Sequence, residues 1–75
     1  MIESKRDRFI RIAEARTNKI IDMLRLLSNC SNKGNYDYTE EDIRQIFNAI
    51  EHEVKEAKNA FIDSENRTET FTLKR

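Results

Sequence analysis

The sequence predicts an all-α protein, a two-helix antiparallel hairpin that self-associates into a multi-chain helical bundle. Three observations predict this class. Glycine occurs once, at Gly34, and proline does not occur, so the turn residues that a many-stranded fold needs are missing. Hydrophobic residues recur in alternating steps of three and four, the spacing of one helix face. One helix is apolar around well over half of its circumference, which is more than one neighbouring helix covers.

The first helix is predicted over about residues 4–28, beginning where Ser4 and Asp7 have the spacing of an N-terminal cap. Its central row follows a seven-residue repeat that one charge, Arg16, interrupts. The row consists of Phe9, Ala13, Arg16, Ile20, Met23, Leu27 and Cys30, with Ile10, Ile12, Ile21, Leu24 and Leu26 on its flanks. We expect this helix to be covered from two directions.

The second helix is predicted over residues 39–63, after a loop at residues 29–38. Thr39 and Asp42 have the capping spacing, and acids fill the first turn, where the helix dipole favours them. Its apolar row is unbroken and consists of Ile43, Phe47, Ile50, Val54, Ala57 and Phe61, with Ile46 and Ala60 widening the stripe. The hairpin thus occupies residues 1–64. Residues 65–75, with a polar and apolar alternation from Thr68 to Leu73, are predicted to be a flexible tail or a short strand.

A chain of 75 residues buries only about 60% of its unfolded surface, so a staple or a partner is expected. The single cysteine, Cys30, cannot close an intramolecular disulfide, and the single histidine, His52, cannot join other soft ligands in a zinc site. We therefore predict a homo-oligomer. Its core and interface residues are predicted to be Phe9, Ile12, Ile20, Met23, Leu24, Leu27, Ile43, Phe47, Ile50, Val54 and Phe61.

The net charge of zero divides unevenly along the chain. Residues 1–26 hold seven bases and four acids, whereas residues 37–65 hold three bases and nine acids. A basic and an acidic helix complement each other in a bundle. The alternative is that cations at the start of the first helix, where they oppose its dipole, contact an external anion or nucleic acid. The candidate contacts are Lys5, Arg6, Arg8, Arg11, Arg16 and Lys19.

Arg16 has two interpretations of its own. It pairs with an acid such as Glu53 or Glu56 across the bundle, or it fixes helix register or binds an anion inside the oligomer. The loop is a second place for a ligand, because it combines aromatic faces, amides and a cation; its tyrosines alternatively close the end of the bundle. The loop candidates are Asn32, Lys33, Asn35, Tyr36 and Tyr38.

No segment carries a catalytic, metal or nucleotide motif, and His52 lies on the polar face of its helix without triad partners. We expect no enzymatic activity, no cofactor and no metal. No apolar run reaches the ~18 residues of a membrane span, and the N-terminus lacks the apolar stretch of a secretory signal. A cytoplasmic location without membrane contact is expected.

Four segments carry a resemblance to known proteins: Lys5–Phe9, Ile12–Lys19, Leu27–Asn29 and Asn35–Thr39. The chain resembles, over roughly residues 5–61, small uncharacterised bacterial helical proteins that are often encoded near mobile elements or prophages. The resemblance implies no activity. It implies a setting in which small helical proteins serve as inhibitors of host systems or as DNA-associated accessories.

The function expected from the sequence is therefore that of a non-enzymatic helical protein that self-associates and binds a macromolecular partner, as an inhibitor or accessory factor of a bacterial mobile element. Two alternatives stay open. One is a DNA-binding accessory that uses the basic start of the first helix. The other is a ligand-sequestering oligomer that uses the loop around Tyr36 and Tyr38.

Overall fold

A computed structural model of the chain describes the backbone of residues 2–70 and the side chains of residues 2–64. The described chain consists of helix α1 at Lys5–Ser28, a 3₁₀ turn at Asn29–Ser31 and helix α2 at Glu40–Thr70. Residues 2–70 contain no strand. The all-α prediction is confirmed, while the antiparallel pairing of the helices and their assembly into a bundle stay predictions.

Helix α1 begins at the predicted cap. Ser4 has an extended backbone, with φ −75° and ψ 166°, and its Oγ accepts the N–H of Asp7 at 3.0 Å. Its carbonyl accepts the N–H of Arg8 at 3.0 Å, the first helical hydrogen bond. At the other end the Ser28 hydroxyl donates to the carbonyl of Arg25 at 2.7 Å. At each end, part of the backbone groups that a helix leaves unpaired thus bond to residues of the helix itself or its cap.

The loop is organised around Asn32. Its side-chain Oδ1 accepts the N–H of Gly34 at 2.9 Å, and its carbonyl accepts the N–H groups of Asn35 and Tyr36, each at 3.0 Å. Gly34 does not have a positive φ. The glycine is favoured here by the lack of room for a side chain, because a Cβ at this position would lie 3.1 Å from Asn32 Oδ1. The connection is thus an ordered turn that the polar residues of the loop build by themselves.

Helix α2 begins at Glu40, one residue after its predicted cap, and continues past the predicted end. The prediction ended the helix at residue 63 and assigned residues 65–75 to a tail or strand, whereas the backbone of residues 65–70 is helical. The sequence offers no glycine or proline between Asp63 and Thr70 to stop the helix. The remainder of the predicted tail or strand, residues 71–75, lies outside the described residues.

The chain divides into two units, Met1–Asp37 with α1 and Tyr38–Arg75 with α2. No side chain among residues 2–64 is buried. Packing of an apolar face is what normally stabilises a helix in a protein, since isolated helices are marginal in water. The fold therefore presents its hydrophobic residues on the surface of the single chain.

Candidate interaction surfaces

The apolar surface of α1 is open along the length of the helix. Ile20 and Met23 expose 61% and 60% of their surface, and Phe9 is also exposed. Ile12 and Leu27 are half-buried. The predicted interface residues of α1 thus lie on one broad apolar surface of an α-helix, available to a neighbour.

The apolar row of α2 is equally open. Phe47, Val54 and Phe61 are exposed, Phe61 by 66%, and Ile43 is exposed by 37%. Ile50 is half-buried. Because these residues follow the three-and-four spacing along an observed helix, they form one stripe. Ile46 and Ile62, exposed by 37% and 51%, widen this stripe on its two sides.

The basic end of α1 is paired with a carboxylate of the same chain, that of Glu3. Both carboxylate oxygens of Glu3 accept from Arg11, with Nε to Oε2 at 2.8 Å and Nη2 to Oε1 at 3.0 Å. Arg8 Nε lies 3.9 Å from Glu3 Oε1. The Arg11 hydrogen bonds hold the pKa of Glu3 below its ordinary value and raise the pKa of Arg11. Two of the predicted anion contacts therefore share an acid of the same chain.

The sequence analysis did not predict a role for Glu3. It named the cations at the start of the first helix as anion contacts and did not consider the acid that precedes the helix. The signal available was an acid just before the N-cap, close enough to fold back on a basic first turn. A third cation of this end is also engaged, because the guanidinium of Arg6 lies 5.9 Å from the ring centroid of Phe9.

Three of the other candidate cations, unlike Arg8 and Arg11, have no acid within ion-pair distance among residues 2–64. Lys5, Arg16 and Lys19 are exposed and form no ion pair with residues 2–64. Of the six predicted anion contacts, the structure thus brings Arg8 and Arg11 together around Glu3 and leaves these three separate from that cluster.

Some of the polar groups predicted to contact a ligand from the loop instead form hydrogen bonds within the loop. Tyr36 is exposed by 51%, whereas Tyr38 is half-buried. The side-chain oxygen of Asn32 is taken by Gly34. Lys33 and Asn35 are exposed. The aromatic face that the loop offers to a ligand is therefore mainly that of Tyr36.

Among the described residues no group of three or more His, Cys, Asp or Glu side chains is placed to hold a metal ion. Cys30, the last residue of the central row predicted for the first helix, is exposed and lies in the 3₁₀ turn beyond α1. His52 is exposed on α2. Within the described part of the chain no helix combines the length and apolarity needed to cross a membrane.

Comparison with known proteins gives no relative: no protein-family model, curated protein or solved structure matches the chain.

Proposed function

We propose that the chain is a non-enzymatic interaction protein whose two helices pair antiparallel as a hairpin and whose hairpins assemble into a helical bundle that binds a macromolecular partner. One observation carries the proposal: the large hydrophobic residues follow one helical spacing on each helix, and none of the side chains of residues 2–64 is buried. A sequence with this periodicity is typical of helices that pack.

The free energy available from covering these surfaces is large. Removing one isoleucine, leucine, phenylalanine or methionine side chain from water stabilises by about 1.5–3 kcal/mol. Fifteen large hydrophobic residues are exposed among residues 2–64, so covering even part of them outweighs the few kcal/mol that decide whether a small domain folds. Association with another copy is the simplest way to cover them.

Charge supports the pairing of the two helices. The basic half of the chain, with seven bases and four acids in residues 1–26, favours contact with the acidic half, which has three bases and nine acids in residues 37–65.

A partner would contact the surfaces that such an assembly leaves open, namely the basic end of α1 and the loop. The resemblance to proteins encoded near mobile elements makes an inhibitor of a host system or an accessory factor the role that we propose. The nucleic-acid alternative is less favoured, because Glu3 already pairs with Arg11 and approaches Arg8. A phosphate backbone would have to displace this carboxylate.

The proposal is tested by measuring molar mass in solution by light scattering over a dilution series. The wild-type chain is expected to exceed the 9.0 kDa of one chain. Phe47→Asp places a charge in the stripe of α2 and is expected to reduce the mass to that of a single chain. Asn48→Asp places the same charge on the polar face of the same helix and is expected to leave the assembly intact.

A wild-type protein that is a single chain and melts cooperatively at low concentration would overturn the proposal. Equal effects of Phe47→Asp and Asn48→Asp would also count against it, since charge and not the apolar stripe would then control the mass.

A further inference from the structure

We propose that the apolar stripe of α2 contacts the same stripe of a second copy of the chain, with the two α2 helices antiparallel and Glu51 of each copy beside Lys58 of the other. The inference rests on the proposed function and adds to it an interaction surface with a defined occupant. Two observations carry it: the order of the charges along one edge of the stripe, and the length of the helix.

One edge of the stripe carries charges of alternating sign. Arg44, Glu51 and Lys58 are spaced by seven residues, and each directly follows a residue of the apolar row, so they lie in one line along the helix. All three are exposed. Arg44 pairs with Glu41 of its own helix, whereas Glu51 and Lys58 form no ion pair with residues 2–64. This edge therefore presents one acid and one base that are available to a neighbour.

A second copy that runs in the opposite direction matches this edge to itself. In an antiparallel pair of identical helices, the same edge of each stripe lies along that of the other copy. The order of charges is then reversed, so Glu51 lies beside Lys58 of the second copy and Lys58 lies beside Glu51. The contact has two-fold symmetry and contains the ion pair twice.

The extent of α2 favours the register that forms these pairs. The helix spans Glu40–Thr70, 31 residues with Lys55 in the middle. Glu51 lies four residues before Lys55 and Lys58 lies three residues after it. Two fully overlapping antiparallel copies therefore place the acid and the base within about 1.5 Å of the same level along the helix axis. Pairing of the charges and nearly complete overlap of the helices thus require the same register.

Other arrangements of two α2 helices bring like charges together. A shift of one heptad keeps the apolar stripes in contact, but it places Glu51 against Glu51 of the other copy and Lys58 against Arg44. A parallel pair places the acidic first turns of both copies at the same end, where they repel each other. The charges therefore favour the antiparallel arrangement in which Glu51 lies beside Lys58.

The stripe of α2 has room for this contact in addition to a hairpin. Ile46 and Ile62 widen the stripe on its two sides, so it exceeds the roughly 100° that one neighbouring helix covers. A second copy removes Phe47, Val54 and Phe61 of each chain, all exposed in the single chain, from water. Hydrophobic burial thus stabilises the contact, and the two ion pairs determine its direction and register.

The test uses charge-reversed full-length chains, with molar mass measured by light scattering over a dilution series. Glu51→Lys and Lys58→Glu each place like charges beside each other twice, and each is expected to raise the dissociation concentration on the order of tenfold. The double variant E51K/K58E restores opposite charges and is expected to dissociate close to the wild-type concentration. Glu56→Lys and Lys55→Glu, the matched changes on the polar face of α2, are expected to change little.

Mixing the two single variants tests whether the ion pair joins two copies. An E51K chain presents two bases on this edge and a K58E chain presents two acids, so the mixture is expected to associate more tightly than either variant alone. A mixture of E56K and K55E chains, with the same net charges, is expected to show no such gain. Absence of recovery in the first mixture would overturn the contact between copies.

The remaining outcomes separate this contact from the proposed function. Equal dissociation of E51K and E56K, in a protein whose wild type stays assembled, would overturn the α2 contact alone. In a parallel pair Lys58 would lie beside Glu53 of the other copy, so recovery by E53K/K58E and not by E51K/K58E would overturn the antiparallel arrangement. A wild type that is a single chain would instead remove the proposed function, so the two failures are distinguishable.

Discussion

Thr39 and Asp42 cap each other at the start of α2. The N–H of Thr39 donates to Asp42 Oδ2 at 2.9 Å, and the N–H of Asp42 donates to Thr39 Oγ1 at 3.1 Å. The carbonyl of Thr39 also accepts the N–H of Ile43 at 3.3 Å. This reciprocal arrangement satisfies two backbone donors and determines where the longer helix begins.

Loss of this cap is expected to destabilise the protein. Thr39→Ala removes the Oγ1 acceptor and should lower the free energy of unfolding by about 1 kcal/mol, measured by urea denaturation at one protein concentration. Thr39→Ser keeps the hydroxyl and should remain close to wild type. Thr17→Ala, in the interior of α1, is the control, because alanine there improves helix propensity. A Thr39→Ala variant as stable as Thr39→Ser would contradict the role of the cap.

The Glu3 and Arg11 contact should be visible in a pH titration. Because the pKa of Glu3 is lowered in the folded chain, the contact contributes stability above the ordinary value of 4.5 and loses it as the pH falls through the lowered pKa. Carboxyl carbon NMR of wild type should show Glu3 titrating below 4.5. Arg11→Gln should raise this pKa, and Arg25→Gln should not. A Glu3 pKa unaffected by Arg11→Gln would exclude the contact.

Binding of DNA is expected to be absent at moderate salt, since the basic end carries its own carboxylate. Fluorescence anisotropy with labelled single-stranded and duplex DNA tests this expectation. Affinity that falls steeply with salt and disappears in Arg8→Glu/Arg11→Glu would instead support the nucleic-acid alternative. In that case Glu3→Gln should bind more tightly than wild type, because the competing anion is removed.

The ligand-sequestering alternative makes a separate prediction about the loop. A small ligand that binds only the folded protein raises the melting temperature with concentration. We expect nucleotides to leave the melting temperature of wild type unchanged. A concentration-dependent rise that is lost in Tyr36→Ala would favour the alternative, provided that Asn35→Ala, its neighbour in the loop, retains the rise.

Much of the fold could be predicted because it depends on short-range interactions. The cap at Ser4, the end of α1 at Ser28 and the start of α2 follow from side chains that bond backbone groups two or three residues away. The predicted end of α2 at residue 63 was wrong, because the change from a helical to an alternating hydrophobic pattern after Ser64 was interpreted as the end of the helix. A helix ends where something stops it, and the sequence between Asp63 and Thr70 contains no glycine or proline.

The sequence predicted which residues form the candidate surfaces, but not the ion pair at the basic end of α1. The apolar rows follow from periodicity alone. The ion pair does not, because Glu3 lies before the helix and pairs with Arg11 eight residues later. Such a contact depends on the path of the backbone ahead of Ser4, which no periodicity encodes.

The sequence by itself determined that the chain is helical, where both helices begin and which of their faces are apolar, because each of these depends on residues within one helical turn. Only the tertiary structure decided that Glu3 pairs with Arg11 and that residues 2–64 bury no side chain. The physical reason is that burial and cross-segment ion pairs depend on where the backbone goes in space.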